Sequence, residues 1–466
     1  MSSVDRARFL WYTAGMTKIT ADCELPTDFA RRMQALLTPE DYAAYLNALA
    51  EPPKRFARKN PLKPAPDDLI AAELGGYPLL PPAAKPGAGA LHAAGAYYVQ
   101  EPAAAAVANL LAPLLPPRAT VLDMCAAPGG KATAVAAALP EAHVLANEIV
   151  FSRAKILLSN IERLGLRNCT VTSLTPDAVA VRGAGLFDAV IADVPCSGEG
   201  MLRKTDFFAS DLSDESVLSC AARAARIVDA CDLCLREGGI LLFSTCTFNR
   251  AENEEQVLRL VREKGYEPID VPRPPHARAG YGLSQAIRFF PQDGGGEGHF
   301  ACVLRKCAKP AGETQNEMHA RRREKTSKPA GGALLRQTQD TLSAITREAF
   351  AAERMRIAGE GVEYVLPADP FAAFPALRRG MRLADFVNGR VLPHHHFATA
   401  ARANELLHAP DYPPDSAEIA AYLSGNAFPC REKSGFRVVK VAAVPLGLIK
   451  ISDGIAKNHY PKGLRK

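Results

Sequence analysis

The sequence predicts an α/β protein whose middle third forms a doubly wound, Rossmann-like sheet. Three observations support this fold class. From Val121 onward, short apolar runs alternate with helical patterns, as in successive βαβ units. The run Phe187–Asp193 is apolar almost throughout, which is typical of a strand covered on both faces. The chain has 466 residues, too many for one ordinary core, so further domains are expected on either side.

The predicted strands occur in a regular order, with a helix after the first, second and fourth. Small residues separate the first strand from its helix, and the second strand ends in an acid. The five predicted strands are Val121–Met124, Val144–Glu148, Thr170–Thr172, Phe187–Asp193 and Gly239–Ser244.

Four regions are predicted along the chain. Residues 1–90 form a helical segment, with helices from Leu25 to Leu74 and a Gly- and Pro-rich connecting loop after them. Residues 91–307 form the α/β domain, and 308–340 a polar, basic linker without helical period. Residues 341–466 form a separate C-terminal α+β domain.

Composition indicates a cytoplasmic globular protein. Hydrophobic residues make up 48% and charged residues 23%, and no apolar run approaches the length of a membrane span. The net charge of +6 is only a weak indication of an anionic partner. The eleven cysteines mostly lie in apolar patterns, as buried thiols do. Cys231 and Cys234 form a C-x-x-C, but within a predicted helix, where packing is the better interpretation.

The loop after the first strand predicts a nucleotide-like cofactor. It reads Cys-Ala-Ala-Pro-Gly-Gly-Lys, residues 125–131, and lacks both the Walker pattern for ATP and the G-x-G-x-x-G pattern for a dinucleotide. S-adenosylmethionine fits better, since its amino-acid end needs only a close approach to the backbone. Glu148, at the end of the next strand, is placed to accept both ribose hydroxyls. A tight structural turn with a surface glutamate is the alternative for either feature alone.

Two cysteines follow neighbouring predicted strands. Cys196 comes three residues after Asp193, and Cys246 follows the fifth strand. Both loops should open onto one crevice, where a thiol can ionise and act as a nucleophile. A methyltransferase needs a thiol when the acceptor is C5 of a pyrimidine, because thiolate attack on C6 makes C5 nucleophilic. Asp193, if protonated, could then donate near N3 of the base, and the base must be unstacked to be reached.

These motifs resemble the NOL1/NOP2/Sun family of RNA cytosine-5 methyltransferases. The bacterial type that acts on 16S ribosomal RNA is the most similar, and the resemblance covers most of the chain. The last residues are similar to the PUA-like RNA-binding domain of that type. The matching segments are Asp123–Lys131, Asp193–Gly200, Ser244–Thr247, Glu252–Glu254, His92–Pro102, Gly296–Phe300 and Asn458–Arg465.

The resemblance implies specific roles. Cys246 is the nucleophile, Cys196 assists release of the methylated product, and Asp193 is the third catalytic residue. Residues facing S-adenosylmethionine are then Cys125, Ala126, Ala127, Pro128, Gly129, Gly130, Lys131, Glu148, Asp177 and Asp193. Asp177 is the candidate for the adenine contact, with Ser173 and Thr175 as alternatives.

Other interpretations stay open at this point. Lys131 could hold Asp193 or the base, or simply begin its helix as an exposed charge. Three consecutive histidines, 394–396, cannot converge on a metal from one strand or helical turn, so we expect domain packing or RNA contact and no metal. The expected partner is RNA, with no DNA or membrane, and the expected state a monomer. The competing classes are an amino-group methyltransferase, an enzyme acting on transfer RNA or 23S ribosomal RNA, and a non-catalytic assembly factor.

Overall fold

The computed structural model describes residues 25–54, 56–64, 72–74, 77–79, 86–203, 212–307 and 332–465. Most of the predicted linker, residues 308–331, lies outside this described part. Among the described residues, no helix has the length and apolar character needed to cross a bilayer.

The N-terminal region is only partly helical. Two helices are followed by an antiparallel sheet of four short strands. The prediction of helices to Leu74 and of a plain connecting loop after it is therefore wrong, because these short strands pair with partners that no local pattern reveals. The elements are α1 (Thr27–Leu36), α2 (Pro39–Leu49), β1 (Phe56–Lys59), β2 (Ala72–Leu74), β3 (Tyr77–Leu79), α3 (Ala90–Ala93) and β4 (Tyr97–Gln100).

The middle of the chain contains the predicted βαβ units. Every predicted strand is present, with ends shifted by a few residues. The elements are α4 (Pro102–Ala108), β5 (Thr120–Asp123), α5 (Gly130–Ala138), β6 (His143–Asn147), α6 (Phe151–Leu164), β7 (Cys169–Thr172), α7 (Pro176–Gly183), β8 (Phe187–Asp193), α8 (Asp214–Cys234), β9 (Leu235–Thr245), α9 (Glu254–Lys264), β10 (Tyr266–Pro268), β11 (Ala277–Gly280), β12 (Leu283–Phe289) and β13 (His299–Lys306).

Five parallel strands form the centre of the sheet in the order β9-β8-β5-β6-β7. This confirms the doubly wound fold and the expected pairing of β8 with β9. Successive residues face opposite layers: Val121 packs into one core and Leu122 into the other. The antiparallel strands β10 to β13 extend the sheet beyond β9 and were not predicted.

The C-terminal region has two small sheets rather than one. Strands β14, β15, β17 and β18 form the first, and β19 to β23 the second. The elements are α10 (Gly332–Ser343), β14 (Met355–Ala358), β15 (Gly361–Tyr364), β16 (Arg378–Arg379), β17 (Met381–Val387), β18 (Arg390–Pro393), α11 (His395–Ala400), β19 (Asp411–Tyr412), α12 (Ala417–Leu423), β20 (Phe428–Pro429), β21 (Gly435–Val441), β22 (Val444–Ser452) and β23 (Ile455–Asn458).

Two expectations about this region need correction. The linker was predicted to reach residue 340, but α10 begins at Gly332, because Leu335 and Leu342 bury one face of it in the core. The C-terminal region is also joined to the central sheet, since β16 pairs antiparallel with β7. Arg378 Nη1 lies 2.7 Å from the Glu162 carboxylate across the same junction.

Candidate active site

The cofactor loop connects β5 to α5 with a backbone that favours glycine. Gly129 has φ +114° and precedes the first residue of α5, a left-handed conformation that side chains rarely adopt. A Cβ at Gly130 would lie 2.7 Å from Gln100 Nε2, so the end of the Gln100 side chain would have to move to admit one. The loop therefore brings bare backbone and a helix N-terminus to the carboxyl edge of the sheet.

Two buried carboxyl groups beside this loop have oxygen atoms without hydrogen-bond partners. Asp123 Oδ1 and Glu148 Oε2 are buried and accept no hydrogen bond. Glu148 Oε1 accepts from the Val150 amide at 3.0 Å, which fixes the side chain, while Arg153 Nη1 is 3.5 Å from Oε2. Buried acceptors normally have partners, so these atoms fit a ligand that brings hydroxyl or cationic groups.

The three candidates for the adenine contact lie just beyond β7. Asp177 is exposed in the first turn of α7. The Thr175 hydroxyl is occupied as the cap of that helix, accepting from the Ala178 amide at 3.3 Å. Ser173 donates to the Ile149 carbonyl at 3.3 Å. Among the three candidates, only the Asp177 side chain takes part in neither of these hydrogen bonds. The adenine contact of Asp177 remains a prediction.

The two loop cysteines meet at the ends of adjacent strands. Parallel pairing of β8 with β9 places Asp193 opposite Ser244, and the loops beyond bring Cys196 Sγ to 3.3 Å from Cys246 Sγ. Both side chains are partly exposed. The Cys246 amide donates to Cys196 Sγ at 3.4 Å. The hydrogen bond to Cys246, together with burial, raises the pKa of Cys196, so Cys196 keeps its proton beside the other thiol.

The surroundings of Asp193 favour its carboxylate form, so the proton donation considered for a protonated Asp193 does not fit this site. Its Oδ2 lies 2.8 Å from Lys131 Nζ, and its Oδ1 accepts from the Ser244 hydroxyl at 2.7 Å. Burial opposes ionisation, yet Lys131 and His299 hold the pKa of Asp193 below its usual value. Lys131 is only 5% exposed and Asp193 35%, so the pair presents its carboxylate to the crevice. Lys131 therefore holds Asp193 rather than beginning α5 as an exposed charge.

A buried carboxylate, Glu199, connects the two cysteine loops. It is 1% exposed and follows Cys196 by three residues. Its Oε2 accepts from the amides of Phe248 at 2.9 Å and Asn249 at 2.8 Å, which are on the loop after Cys246. Its Oε1 accepts from Arg32 Nη2 at 2.9 Å. Helix α1 is thereby attached to the loop that positions Cys246.

Arg32 and Glu199 are functional candidates that sequence reasoning missed. Glu199 lies within the segment Asp193–Gly200 that resembles the family, and this position is the only sequence feature that could have indicated it. No sequence feature indicates Arg32, because its partner Glu199 is 167 residues away. Glu252 was likewise noted without a role, and it binds the Cys196 loop by accepting from the Ser197 amide at 2.9 Å.

The histidine run and the C-x-x-C motif are structural. His395 and His396 are buried in α11, and His396 Nε2 lies 2.9 Å from the Leu166 carbonyl of the central domain. The run therefore packs between domains. Cys231 and Cys234 are buried within α8, where burial raises the pKa of both thiols. Within the described ranges, no three ligating side chains are arranged to hold a metal.

Comparison with known proteins gives matches to two family models and to named relatives. A family model described as 16S rRNA methyltransferase RsmB/F matches residues 109–305, and one described as methyltransferase RsmF PUA domain matches residues 409–466. Ribosomal RNA small subunit methyltransferase F from Escherichia coli O81 (strain ED1a) is 31% identical over 402 residues, 81% of this chain and 80% of that protein.

Other relatives align over less of their length. The protein of that name from Salmonella agona is 34% identical over 304 residues, 60% of this chain and 63% of the relative. The one from Serratia proteamaculans is 35% identical over 230 residues, 47% of each. The chain thus spans less than two thirds of these two relatives.

Solved structures share the fold. NSun6 from Pyrococcus horikoshii, solved with SFG, has a TM-score of 0.53 at 19% identity, covering 61% of this chain and 99% of that one. A methyltransferase homologue from the same organism has a TM-score of 0.52 at 23% identity, covering 60% and 94%. Fold and site together define a Rossmann-like methyltransferase with two cysteines at its sheet edge. The chain belongs to the ribosomal RNA small subunit methyltransferase F (RsmF) family.

Proposed function

We propose that the protein transfers a methyl group from S-adenosylmethionine to C5 of cytosine in RNA, with 16S ribosomal RNA as the substrate. The observation that carries the proposal is the pair of thiols 3.3 Å apart beside the ionised Asp193. Methylation of a nitrogen or oxygen needs no thiol, because such an acceptor already has a lone pair. The relatives are named for the small-subunit RNA, which supports that substrate over transfer RNA or 23S ribosomal RNA.

Residues on the described loop fit the cofactor. The Gly129–Gly130 backbone would approach its amino-acid end, Glu148 would accept from its ribose, and Asp177 would contact its adenine. The unused Asp123 Oδ1 fits a cationic group. The remaining loop residues, Cys125 to Pro128 and Lys131, complete the cradle. When bound, S-adenosylmethionine supplies an electrophilic methyl group.

The thiols have complementary parts in this mechanism. The Cys246 thiolate bonds through Sγ to C6 of cytosine, and the π electron pair of the C5–C6 bond moves to C5, which then accepts the methyl group. Solvent water takes the C5 proton, the electron pair of that C–H bond re-forms the C5–C6 double bond, and the Sγ–C6 bond breaks with its electron pair on sulfur. Cys196 keeps its proton 3.3 Å away and can donate it to the departing sulfur, so that Cys246 leaves as the thiol and Cys196 becomes the thiolate, which gives Cys196 a role in product release.

Asp193 has a different role from the one expected for a protonated acid. As a carboxylate it accepts from the exocyclic amino group of cytosine, which distinguishes cytosine from uracil. Lys131 keeps the carboxylate ionised and oriented, since its ammonium group is buried against it at 2.8 Å. The amino-group class of methyltransferase has no use for this arrangement, because Cys196 occupies the place of its stacking aromatic residue.

The wider assignment is also a proposal. The protein would act as a cytoplasmic monomer on RNA, without DNA or membrane partners, since bacterial ribosomal RNA is cytoplasmic. The N-terminal residues 1–90 and the C-terminal region would both contribute to RNA binding, and the match to an RsmF PUA domain supports the second.

Release of tritium tests the reaction class. RNA labelled with tritium at C5 of cytosine should lose the label to water only when protein and S-adenosylmethionine are both present. Bisulfite mapping of 16S ribosomal RNA from a deletion strain should then show the lost modification. Methylated RNA that retains its C5 label would refute C5 transfer, and no cofactor affinity would favour the non-catalytic assembly factor.

Cofactor binding should depend on pH through Asp123. Burial and the neighbouring Asp193 raise the pKa of the Asp123 carboxyl to about 8, so it is protonated at neutral pH without ligand. A cationic ligand favours the carboxylate, so binding below that pKa releases a proton. We expect affinity to rise by up to about tenfold per pH unit toward pH 8 and then level off. Calorimetric titration across this range measures the effect, and Asp123→Asn should flatten the profile.

A further inference from the structure

Side chains from outside the cofactor loop hold its backbone. Residues 126–130 are alanine, proline and glycine, so the loop has no polar side chain of its own along this stretch. Three of the donors lie on α5 or α6 of the α/β domain, whereas Arg58 lies on β1 of the N-terminal sheet. The carbonyls and their donors are Ala127 with Arg153 at 2.9 Å, Pro128 with Asn160 at 2.9 Å, Gly129 with Thr133, and Gly130 with Arg58.

The pairing of β1 with β4 fixes the direction of the Arg58 side chain. The register places Arg58 opposite Tyr98 and Phe56 opposite Gln100. Directly opposed residues point to the same face of a sheet, and the Arg58 guanidinium lies over the Tyr98 ring, 5.1 Å from its centroid. Arg58 Nη1 also donates to Gln100 Oε1 at 3.2 Å. Both contacts direct the guanidinium away from β1 and toward α5.

Arg58 connects to both glycines of the cofactor loop. Its Nη1 donates to the Gly130 carbonyl, and its Nη2 donates to the Thr133 hydroxyl at 2.7 Å. The Thr133 hydroxyl donates in turn to the Gly129 carbonyl. Arg58 therefore holds Gly130 directly and Gly129 through Thr133, and Gly129 is the residue with φ +114°.

The charge of Arg58 strengthens these contacts. Burial lowers the pKa of Arg58 to about 10, so the guanidinium stays positive at neutral pH. Its hydrogen-bond acceptors are neutral oxygen atoms, and no carboxylate in the described part of the chain forms an ion pair with it. A charged donor makes a stronger hydrogen bond than a neutral one, so this arginine holds the loop more firmly than a neutral side chain would.

We propose that Arg58 is a positioning residue for S-adenosylmethionine, which makes the N-terminal sheet part of the cofactor site. The cofactor would approach the Gly129–Gly130 backbone, so a loop whose peptide groups are already oriented binds it with less loss of entropy. Arg58 acts through these peptide groups. Its loss should weaken cofactor binding without changing the chemical step, because Asp193 is held by Lys131 instead. This inference deepens the proposed function and rests on it for the cofactor.

Arg58→Met tests the proposal in the full-length protein. Calorimetric titration with S-adenosylmethionine, without RNA, should show about tenfold weaker binding, the effect of one lost hydrogen bond to a charged group. In tritium-release kinetics the KM for the cofactor should rise by the same factor, while kcat at saturating cofactor stays within about twofold of wild type. Arg58→Lys keeps a charged donor and should recover part of the affinity.

Thr133→Val tests the connection from the other side. Valine keeps the volume of the buried threonine but removes the hydroxyl that joins Arg58 to the Gly129 carbonyl. Cofactor affinity should fall in this variant too, and by a larger factor in the wild-type background than in Arg58→Met, because the two residues share one path. If Arg58→Met does not fold, Arg58→Lys and Thr133→Val decide the question in its place.

The matched control is Arg118→Met. Arg118 is an exposed arginine that precedes β5, at the opposite edge of the sheet from the cofactor loop, and its Nε lies 2.9 Å from the Glu141 carboxylate. This variant should keep wild-type affinity and KM for the cofactor. Denaturant unfolding of every variant records stability separately from binding.

Two results would overturn the proposal. One is wild-type cofactor affinity in Arg58→Met and Thr133→Val, even at reduced stability, because Arg58 would then support only the fold. The other is a fall in kcat at unchanged cofactor affinity. Wild-type protein that binds S-adenosylmethionine but releases no tritium would refute the proposed function alone, since the affinities are compared without RNA.

Discussion

Cys246→Ser is expected to lose methyl transfer by roughly 10⁴-fold or more, the scale on which essential nucleophiles act. A serine hydroxyl has nearly the volume of the thiol but is not ionised at neutral pH, and an un-ionised hydroxyl is a weak nucleophile. The Sγ–C6 bond cannot then form, and C5 stays unreactive. The measurement is tritium release from C5-labelled RNA under single-turnover conditions, with cofactor binding followed separately.

Cys307→Ser is the matched control, because Cys307 is a partly exposed thiol at the end of β13, outside the crevice. It should methylate RNA at the wild-type rate. Cofactor affinity should be unchanged in both variants, which separates loss of chemistry from loss of fold. Near wild-type methylation by Cys246→Ser would remove Cys246 from the mechanism.

Glu199→Ala is expected to lower the free energy of unfolding by about 3–5 kcal/mol, as when one partner of a buried ion pair is removed. The substitution leaves the Arg32 guanidinium without its buried partner and frees the amides of Phe248 and Asn249. Because those amides fix the loop that carries Cys246, activity of the protein that remains folded should also fall. Denaturant unfolding gives the stability, and the single-turnover rate gives the activity.

Glu237→Ala, at an exposed position of β9, is the control and should change stability by less than about 0.5 kcal/mol. A double-mutant cycle with Arg32→Met isolates the contribution of the pair. If Glu199→Ala unfolds like the control, the carboxylate does not hold the two loops together. If stability falls but the single-turnover rate of folded protein does not, Glu199 supports the fold without positioning Cys246.

The central fold could be predicted because its signals are local. Most strands from β5 to β9 are apolar runs followed by a helical pattern, and a helix that crosses between two strands makes them parallel. Strands such as β1 and β16 have a few residues each and pair with distant segments, so no local period marks them. Most of helix α10 was predicted as linker for a similar reason. Its apolar residues can be recognised as buried only when the C-terminal core that they pack against is known.

The main residues of the site could be predicted from the sequence, but the protonation state of Asp193 could not. The convergence of Cys196 and Cys246 follows from neighbouring strand ends, which sequence order implies. The protonation state of Asp193 does not, because it depends on the direction that the Lys131 side chain takes across the crevice. The contact between Arg32 and Glu199 is likewise a product of tertiary packing.

In the proposed mechanism, Cys246 forms the covalent bond and Cys196 helps to break it. The most direct test is denaturing gel electrophoresis of Cys196→Ala after incubation with RNA and S-adenosylmethionine. We expect a covalent protein–RNA band in Cys196→Ala and none in Cys196→Ala/Cys246→Ala. A covalent band that forms in Cys246→Ala would contradict it, because Cys196 would then be the nucleophile.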